Sequence, residues 1–343
     1  MKRCLACILL LLFLCGCTAN QPPVTNEQYI AGTIVTQTVP QGESSQAEID
    51  DAVRRVTDRL RELESCFSVT IDSSDISRLN KTHKAVLQSD TKLLLEKALS
   101  LADTTGGAFN PCLLPLTRTW NISNAAAEES AFSVPSSSQI EEAKQHCGYH
   151  SLQISGNEAF LSDAQGGIDL GGIAKGYMAD EAVSLYRQLG IENACISLGG
   201  NIYAIGHNQH GRPWNIAIQD PRAPHGTSIG TIPVTDKSVV TSGDYERYVE
   251  KDGIRYHHII DPSTGYPARS GIMSLSVISE DSAKADALST AAFVLGLNEG
   301  RALLERANCD FIIVTEDKKI YLSKGIQDTF RLTGRENGYD IVS

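Results

Sequence analysis

Gly166-Gly167-Ile168-Asp169-Leu170-Gly171-Gly172-Ile173-Ala174-Lys175-Gly176-Tyr177 joins a short strand-like run, residues 167–170, to a helix. Over residues 174–189, Met178, Ala182, Leu185 and Leu189 recur along one helical face, and Gly190 closes it. Paired glycines at such a junction let the backbone come close to a ligand, while the helix start at Ala174 directs N–H groups and a positive dipole end towards it. A phosphate suits that place. The segment is not a Walker loop, because Gly176 follows Lys175 where Ser or Thr is needed and the GxxxxGK spacing is missing. A tight turn with a solvated lysine is the plainer alternative.

Downstream of this corner, strand patterns at 194–198, 202–205, 214–218, 228–234, 238–242, 247–250, 255–259 and 274–278 alternate with turns. Helices at 282–295 and 298–306 and strands at 311–314 and 319–322 complete the chain. Upstream, residues 28–39 read as a strand, 46–64 and 91–103 as helices, 121–135 as a surface loop and 136–146 as a helix. Strands follow at 151–154 and 158–162. Several links are too short for crossover helices. The class is therefore mixed α and β (α+β), with mostly antiparallel sheets packed with helices.

Two more clusters carry chemistry. Thr241-Ser242-Gly243-Asp244-Tyr245 is followed by Tyr256-His257-His258-Ile259-Ile260-Asp261-Pro262-Ser263-Thr264-Gly265, whose Asp-Pro-x-Thr-Gly is a tight turn. His258, three residues ahead at a strand end, is placed to face a ligand over that turn and take a hydroxyl proton; the alternative is a structural hydrogen bond. Asp286 and Thr290, four apart inside a helix, share one face, where a carboxylate and a hydroxyl can converge on a hard cation such as Mg2+. Alternatively, Thr290 back-bonds to its own helix and Asp286 faces water or caps a neighbour.

With 343 residues and 41% hydrophobic content the chain can bury a substantial core. Its 41 acidic residues against 30 basic ones give a formal net charge of -11, which repels a nucleic-acid backbone and excludes that class of partner. The same charge disfavours a dinucleotide unless a cation or backbone N–H groups neutralise its phosphates. Lys2 and Arg3, the apolar residues 8–14 and Leu14-Cys15-Gly16-Cys17 resemble a bacterial lipoprotein signal with Cys17 as the lipidated residue. On that reading residues 1–17 are the signal, 18–45 a tether and the start of the first strand, and 46–343 the functional domain. The protein would be exported and lipid-anchored to a bacterial membrane, on the periplasmic side or the outer face of the cytoplasmic membrane. Beyond the anchor, Cys66, Cys112, Cys147, Cys195 and Cys309 have no CxxC pairing or regular spacing, so neither a zinc site nor a disulfide framework is indicated and most are expected to be small buried hydrophobes.

The strings DLGGIAKGY, ISLGGNIYAIG, TSGDYERY, HHIIDPSTGYPA and ADALSTAAFVLG, in this order over about residues 65–296, resemble the ApbE family of FAD:protein FMN transferases. The resemblance implies a T-fold-like α/β domain binding FAD across a groove between its halves. Carried over, Asp169, Lys175 and Ile260 contact the flavin nucleotide, and Ala108-Phe109-Asn110 lies against it. The Gly172 carbonyl with the Asp286 and Thr290 side chains holds Mg2+. Departures are Asn110 where aspartate is usual, Leu114 where glycine is, and Thr70 where an aromatic ring often faces the flavin.

The implied activity is Mg2+-dependent transfer of FMN from FAD to a threonine hydroxyl of an acceptor protein, with release of AMP. No Ser/Thr-Gly-Ala-Thr acceptor string occurs in this chain, so the acceptor must be a different protein, and it is expected to be an exported subunit of a membrane redox complex. Two alternatives keep the site: an FAD pyrophosphatase giving FMN and AMP, and a non-catalytic FAD-binding lipoprotein.

Overall fold

The computed structural model describes residues 22–42, 44–128 and 132–342. The signal reading at residues 1–17, with Cys17, lies outside them. Nine strands form one sheet whose spatial order is the chain order: β1 (Val24–Ile30), β2 (Thr33–Val39), β3 (Ala194–Leu198), β4 (Asn201–Ile205), β5 (Lys237–Gly243), β6 (Ile272–Ser279), β7 (Asp310–Thr315), β8 (Lys319–Leu322) and β9 (Asp340–Val342). Adjacent strands pair antiparallel except β8 with β9. The helices and smaller sheets enter as insertions between neighbouring strands.

Strand periodicity splits the core in two. On β7, Phe311 and Ile313 join the cluster under the helices, while Ile312 and Val314 join the cluster on the opposite face. The first face is covered by α1 (Gln46–Phe67), α2 (Ala174–Gln188) and α3 (Ser282–Arg306). The second is covered by the hairpin Trp214–Gln219 and Ser228–Val234. In α1 a capping box between Ser45 and Glu48 satisfies the first turn, and Ile49, Val53, Val56, Leu60 and Leu63 are all buried. A satellite core of Leu116, Trp120, Ile122, Ile140 and Ile260 lies under the insertion that becomes one end of the site.

The expected class stands, with corrections in detail. Residues 28–39 are the end of β1 and all of β2, turned by Ala31 (φ 53°) and Gly32 (φ 70°), so residues 18–45 hold a whole hairpin beyond any tether. Positive φ at both central residues matches the twist of a two-residue hairpin, but Ala-Gly lacks the Asn-Gly signature. Residues 167–170 are not a strand: Ile168 exchanges hydrogen bonds with the Asn80 side chain (2.6 and 2.9 Å), and Asp169 N–H donates to the Pro111 carbonyl (2.8 Å). The expected loop at 121–135 contains the helix Ile122–Glu128, and the helices Asp75–Thr82 and Leu114–Trp120 went unread. The two helices expected at 282–306 both form and meet at Gly296, whose φ of 79° and ψ of -177° are non-helical, so α3 is a pair joined at a kink. Among the described residues, no helix is long and apolar enough to cross a membrane. Cys66, Cys112, Cys147 and Cys309 are buried, Cys195 is half-buried, and all five thiols are free.

Candidate active site

A cleft of about 360 Å³ lies where the glycine corner, the first half of α3, the end of β5 and the satellite core meet, within the size range of small-molecule sites. Its walls include Ala108, Phe109, Asn110, Asp169, Gly172, Lys175, His258, Ile260, Asp286 and Thr290. Every site residue expected within the described chain therefore faces one cavity, although the set spans about half the sequence.

The inner wall is a close contact between α2 and α3. A Cβ on Gly176 would stand 2.3 Å from the Ser282 carbonyl oxygen and 2.7 Å from Ala283 Cα, so only glycine permits this approach. Two carboxylates then tie the helices reciprocally. Asp286 Oδ2, on α3, accepts from the Gly176 N–H (2.9 Å); Asp180, on α2, accepts from the N–H groups of Ser282 and Ala283 (2.9 Å each). Burial pushes the Asp180 pKa up to about 6 against those two donors.

Asp286 is 3% exposed, so it is a buried capping group as well as a cleft residue. Its other oxygen, Oδ1, is 3.9 Å from Lys175 Nζ, which donates to the Gly171 carbonyl at 3.2 Å. Thr290 follows one turn later, its Oγ1 3.5 Å from Ser242 Oγ. The back-bonding hydroxyl on this helix belongs to Ser289, which donates to the Asp286 carbonyl at 2.9 Å. A Cβ on Gly172 would come within 3.4 Å of Thr290 Oγ1, so the glycine corner and this hydroxyl share one small space. The donors here are a carboxylate, a hydroxyl and a backbone carbonyl. No group of three or more His, Cys, Asp or Glu able to hold a metal occurs among the described residues. Sparse, all-oxygen donors fit Mg2+, which keeps waters and substrate phosphate in its shell, and do not fit zinc.

The adjoining wall accounts for two departures. Asn110 is buried; its amide donates to the Cys147 carbonyl (2.7 Å) and its oxygen accepts from the Cys112 N–H (2.8 Å), a pairing that needs a donor and an acceptor and that a carboxylate cannot reproduce. Leu114 is accommodated by Gly167, where a Cβ would stand 2.7 Å from Leu114 Cδ2. Thr70 is exposed and is not among the cleft residues. Asp169 is held by the Gly171 N–H (2.9 Å) and the Thr117 hydroxyl (3.1 Å).

The outer wall hangs from the ribbon Tyr248–Lys251 and Ile254–His257. His258 Nδ1 is 3.3 Å from the Arg247 carbonyl, which can only accept. That contact assigns the ring proton to Nδ1 and leaves the Nε2 lone pair free. Burial, then the Arg247, His257 and Lys175 charges, push the His258 pKa down to about 3. Part of the ring remains open to the cleft and the hydrogen bond to the Arg247 carbonyl pushes the other way, but the lowering causes outweigh it and the ring is neutral at pH 7. His257 is the structural histidine of the pair, buried with Nε2 2.8 Å from the Ala268 carbonyl. The Asp-Pro-x-Thr-Gly turn forms as expected: Gly265 N–H donates to the Asp261 carbonyl (2.8 Å) with φ 78°, and Trp120 Nε1 donates to the Gly265 carbonyl (2.7 Å).

Sequence reading missed Glu246, Arg247, Trp120, Ile122 and the Gly32-Thr33 turn as cleft residues. Glu246 and Arg247 lie inside TSGDYERY, so their signal was present without an assigned role. Nothing local marked the others.

A family model described as the ApbE family matches residues 31–313. A relative named FAD:protein FMN transferase from Treponema pallidum is 35% identical over 347 residues, covering 96% of this chain and 94% of that protein. One of the same name from Klebsiella pneumoniae is 33% identical, covering 84% and 89%. The crystal structure of the ApbE protein from Thermotoga maritima superposes with a TM-score of 0.81 at 32% identity, covering 90% of this chain and 99% of that one. The flavin transferase ApbE from Vibrio cholerae superposes with 0.79 at 27% identity, covering 90% and 99%.

Proposed function

Because the chain belongs to the ApbE family, we propose that it is an FAD:protein FMN transferase that moves FMN from FAD to a threonine hydroxyl of an acceptor protein, releasing AMP. The observation that carries this reading is the convergence of the glycine corner, Lys175, Asp286, Thr290 and His258 on one cleft. Gly172, Asp286 and Thr290 are the residues that would hold Mg2+, which when bound neutralises diphosphate charge that an acidic chain would otherwise repel. Lys175 and the start of α2 bind and orient the diphosphate through the ammonium group and the helix dipole. His258 Nε2 accepts the proton as the acceptor oxygen bonds to the FMN phosphorus. The bond from that phosphorus to the oxygen bridging the two phosphates breaks, and AMP departs with that oxygen. Phe109, Trp120, Ile122 and Ile260 supply apolar walls against ring systems.

Incubation with FAD, Mg2+ and a purified acceptor carrying a Ser/Thr-Gly-Ala-Thr segment should add one FMN to the acceptor, read by intact-protein mass spectrometry. AMP release with no acceptor mass gain would replace this reading with the pyrophosphatase one. We also propose export and lipid anchoring at Cys17, supported by the basic start, the apolar run and Leu14-Cys15-Gly16-Cys17. Cys17→Ala should abolish incorporation of labelled fatty acid, whereas equal labelling of parent and variant would remove the anchor.

A further inference from the structure

A substrate that is itself a protein must cover the rim of the cleft its hydroxyl enters. The β1–β2 turn forms part of that rim, because Gly32 and Thr33 line the cleft and the Gly32 carbonyl accepts from Arg247 at 3.4 Å. Flanking the turn, Tyr29 and Ile34 are direct cross-strand partners, and they are 75% and 60% exposed. They share the outward face of the hairpin, opposite the face on which Ile30 and Val35 join the core beneath α1.

The second layer of the molecule explains why this pair is bare. The hairpin Trp214–Gln219 and Ser228–Val234 covers the sheet over β4 to β8, with Cys195 and Ile202 packed partly against it, and its cluster includes no residue of β1 or β2. Among the described residues, the outward positions of the hairpin are Thr25, Glu27 and Tyr29 on β1, all exposed, and on β2 the exposed Ile34 and the half-buried Thr36 and Thr38. Glu27 is the only charge among them, and it accepts a hydrogen bond from Thr36. On a chain of formal net charge -11 this face is nearly neutral, and its two large apolar side chains stand at the end beside the cleft. Single exposed hydrophobes are ordinary, and a cross-strand pair adds only modestly to its own hairpin. Position sets this pair apart: it adjoins the cleft turn, and Arg247, which donates to the Gly32 carbonyl, is followed in the chain by Tyr248, exposed with the Arg255 guanidinium 4.1 Å over its ring, on the ribbon that carries His258.

We propose that the outward face of the β1–β2 hairpin, centred on Tyr29 and Ile34, is where the acceptor protein docks, presenting a neutral, apolar surface beside its hydroxyl-bearing loop. The proposal rests on the transferase reading and adds a recognition surface outside the chemistry. Removing a central apolar anchor of a protein interface weakens association by about tenfold or more.

The test measures flavinylation by the full chain at varied acceptor concentration, using an acceptor that carries a Ser/Thr-Gly-Ala-Thr segment, for the parent, Tyr29→Ser/Ile34→Ser and Val86→Ser/Leu93→Ser. The last pair is also well exposed, at 63% and 55%, and lies outside the cleft. The expected result is an acceptor KM at least about tenfold higher for Tyr29→Ser/Ile34→Ser only, with FAD affinity and kcat at saturating acceptor within about twofold of the parent. An unchanged acceptor KM, or an equal rise in the Val86/Leu93 variant, overturns the proposal and leaves the transferase reading intact. A change in solution mass by light scattering with acceptor KM unchanged assigns the face to a second copy and also overturns it. A parent that binds FAD and flavinylates no acceptor removes the transferase reading, and this proposal with it.

Discussion

On the inner wall of the cleft, Asp286 is buried and hydrogen-bonded to the backbone of a second helix; on the outer wall, Glu246 and Arg247 are exposed and His258 hangs from a two-stranded ribbon. The inner wall fixes charge with backbone N–H groups and a glycine-only helix contact. The outer wall places its groups on a strand end and a turn, where little of the core depends on them. Residues of the inner wall therefore serve stability and chemistry together, while residues of the outer wall should separate the two.

That contrast breaks or holds first at Asp286. Asp286→Asn keeps an oxygen for the Gly176 N–H and removes the charge, whereas Asp286→Ala removes both. FAD turnover should fall by about a thousandfold or more in each, and Ala alone should lose about 1–3 kcal/mol in chemical denaturation. A stable Ala variant would mean that the buried hydrogen bond contributes nothing, and the inner wall would then resemble the outer one.

His258→Gln tests the opposite wall. FMN transfer should drop about a hundredfold, with FAD affinity and melting temperature close to the parent. A large loss of stability would place His258 with the structural groups, beside His257.

Gly176→Ala sharpens the contrast without touching a chemical group. The added Cβ would meet the start of α3 at 2.3 Å, so the variant should lose about 1–3 kcal/mol and part of its turnover together. Loss of either property alone would show the helix contact to be separable from the site.

The smallest effect is a pH slope. The Asp180 pKa is raised to about 6 from 3.8, so the folded state holds this proton more tightly than the unfolded one. Its stabilising contribution is complete below about pH 4 and is lost as pH rises through about 6. Denaturation midpoints measured from pH 4 to 6 should fall more steeply in the parent than in Asp180→Asn. Equal slopes would mean that Asp180 does not couple folding to protonation.

The chemistry was legible where it lay in contiguous strings. Asp169 to Lys175 sit on one turn, Asp286 and Thr290 on one helical face, and His258 beside a Pro-Gly turn; local spacing grouped the residues within each cluster, and the resemblance to the ApbE family is what implied that the three clusters share one site. Less legible was whatever depended on distant partners. Residues 167–170 alternate like a strand, yet their backbone pairs with Asn80 and Pro111. The Ala31-Gly32 turn carries no strong turn residue, so two strands read as one. Ile122 enters the cleft from a stretch that composition alone marks as surface, and Trp120 from a short helix that no local pattern signals. The reciprocal capping of α2 and α3 has no sequence signature, because Asp180 and Asp286 find their donors about 100 residues away.

In the proposed function, one buried carboxylate lets an acidic chain hold a diphosphate by way of a divalent cation. Titrating Mg2+ into the parent and into Asp286→Asn, with FAD affinity followed by flavin fluorescence, tests it directly. FAD affinity should rise with Mg2+ in the parent and stay flat in the variant; an equal rise in both would mean that Asp286 does not hold the cation.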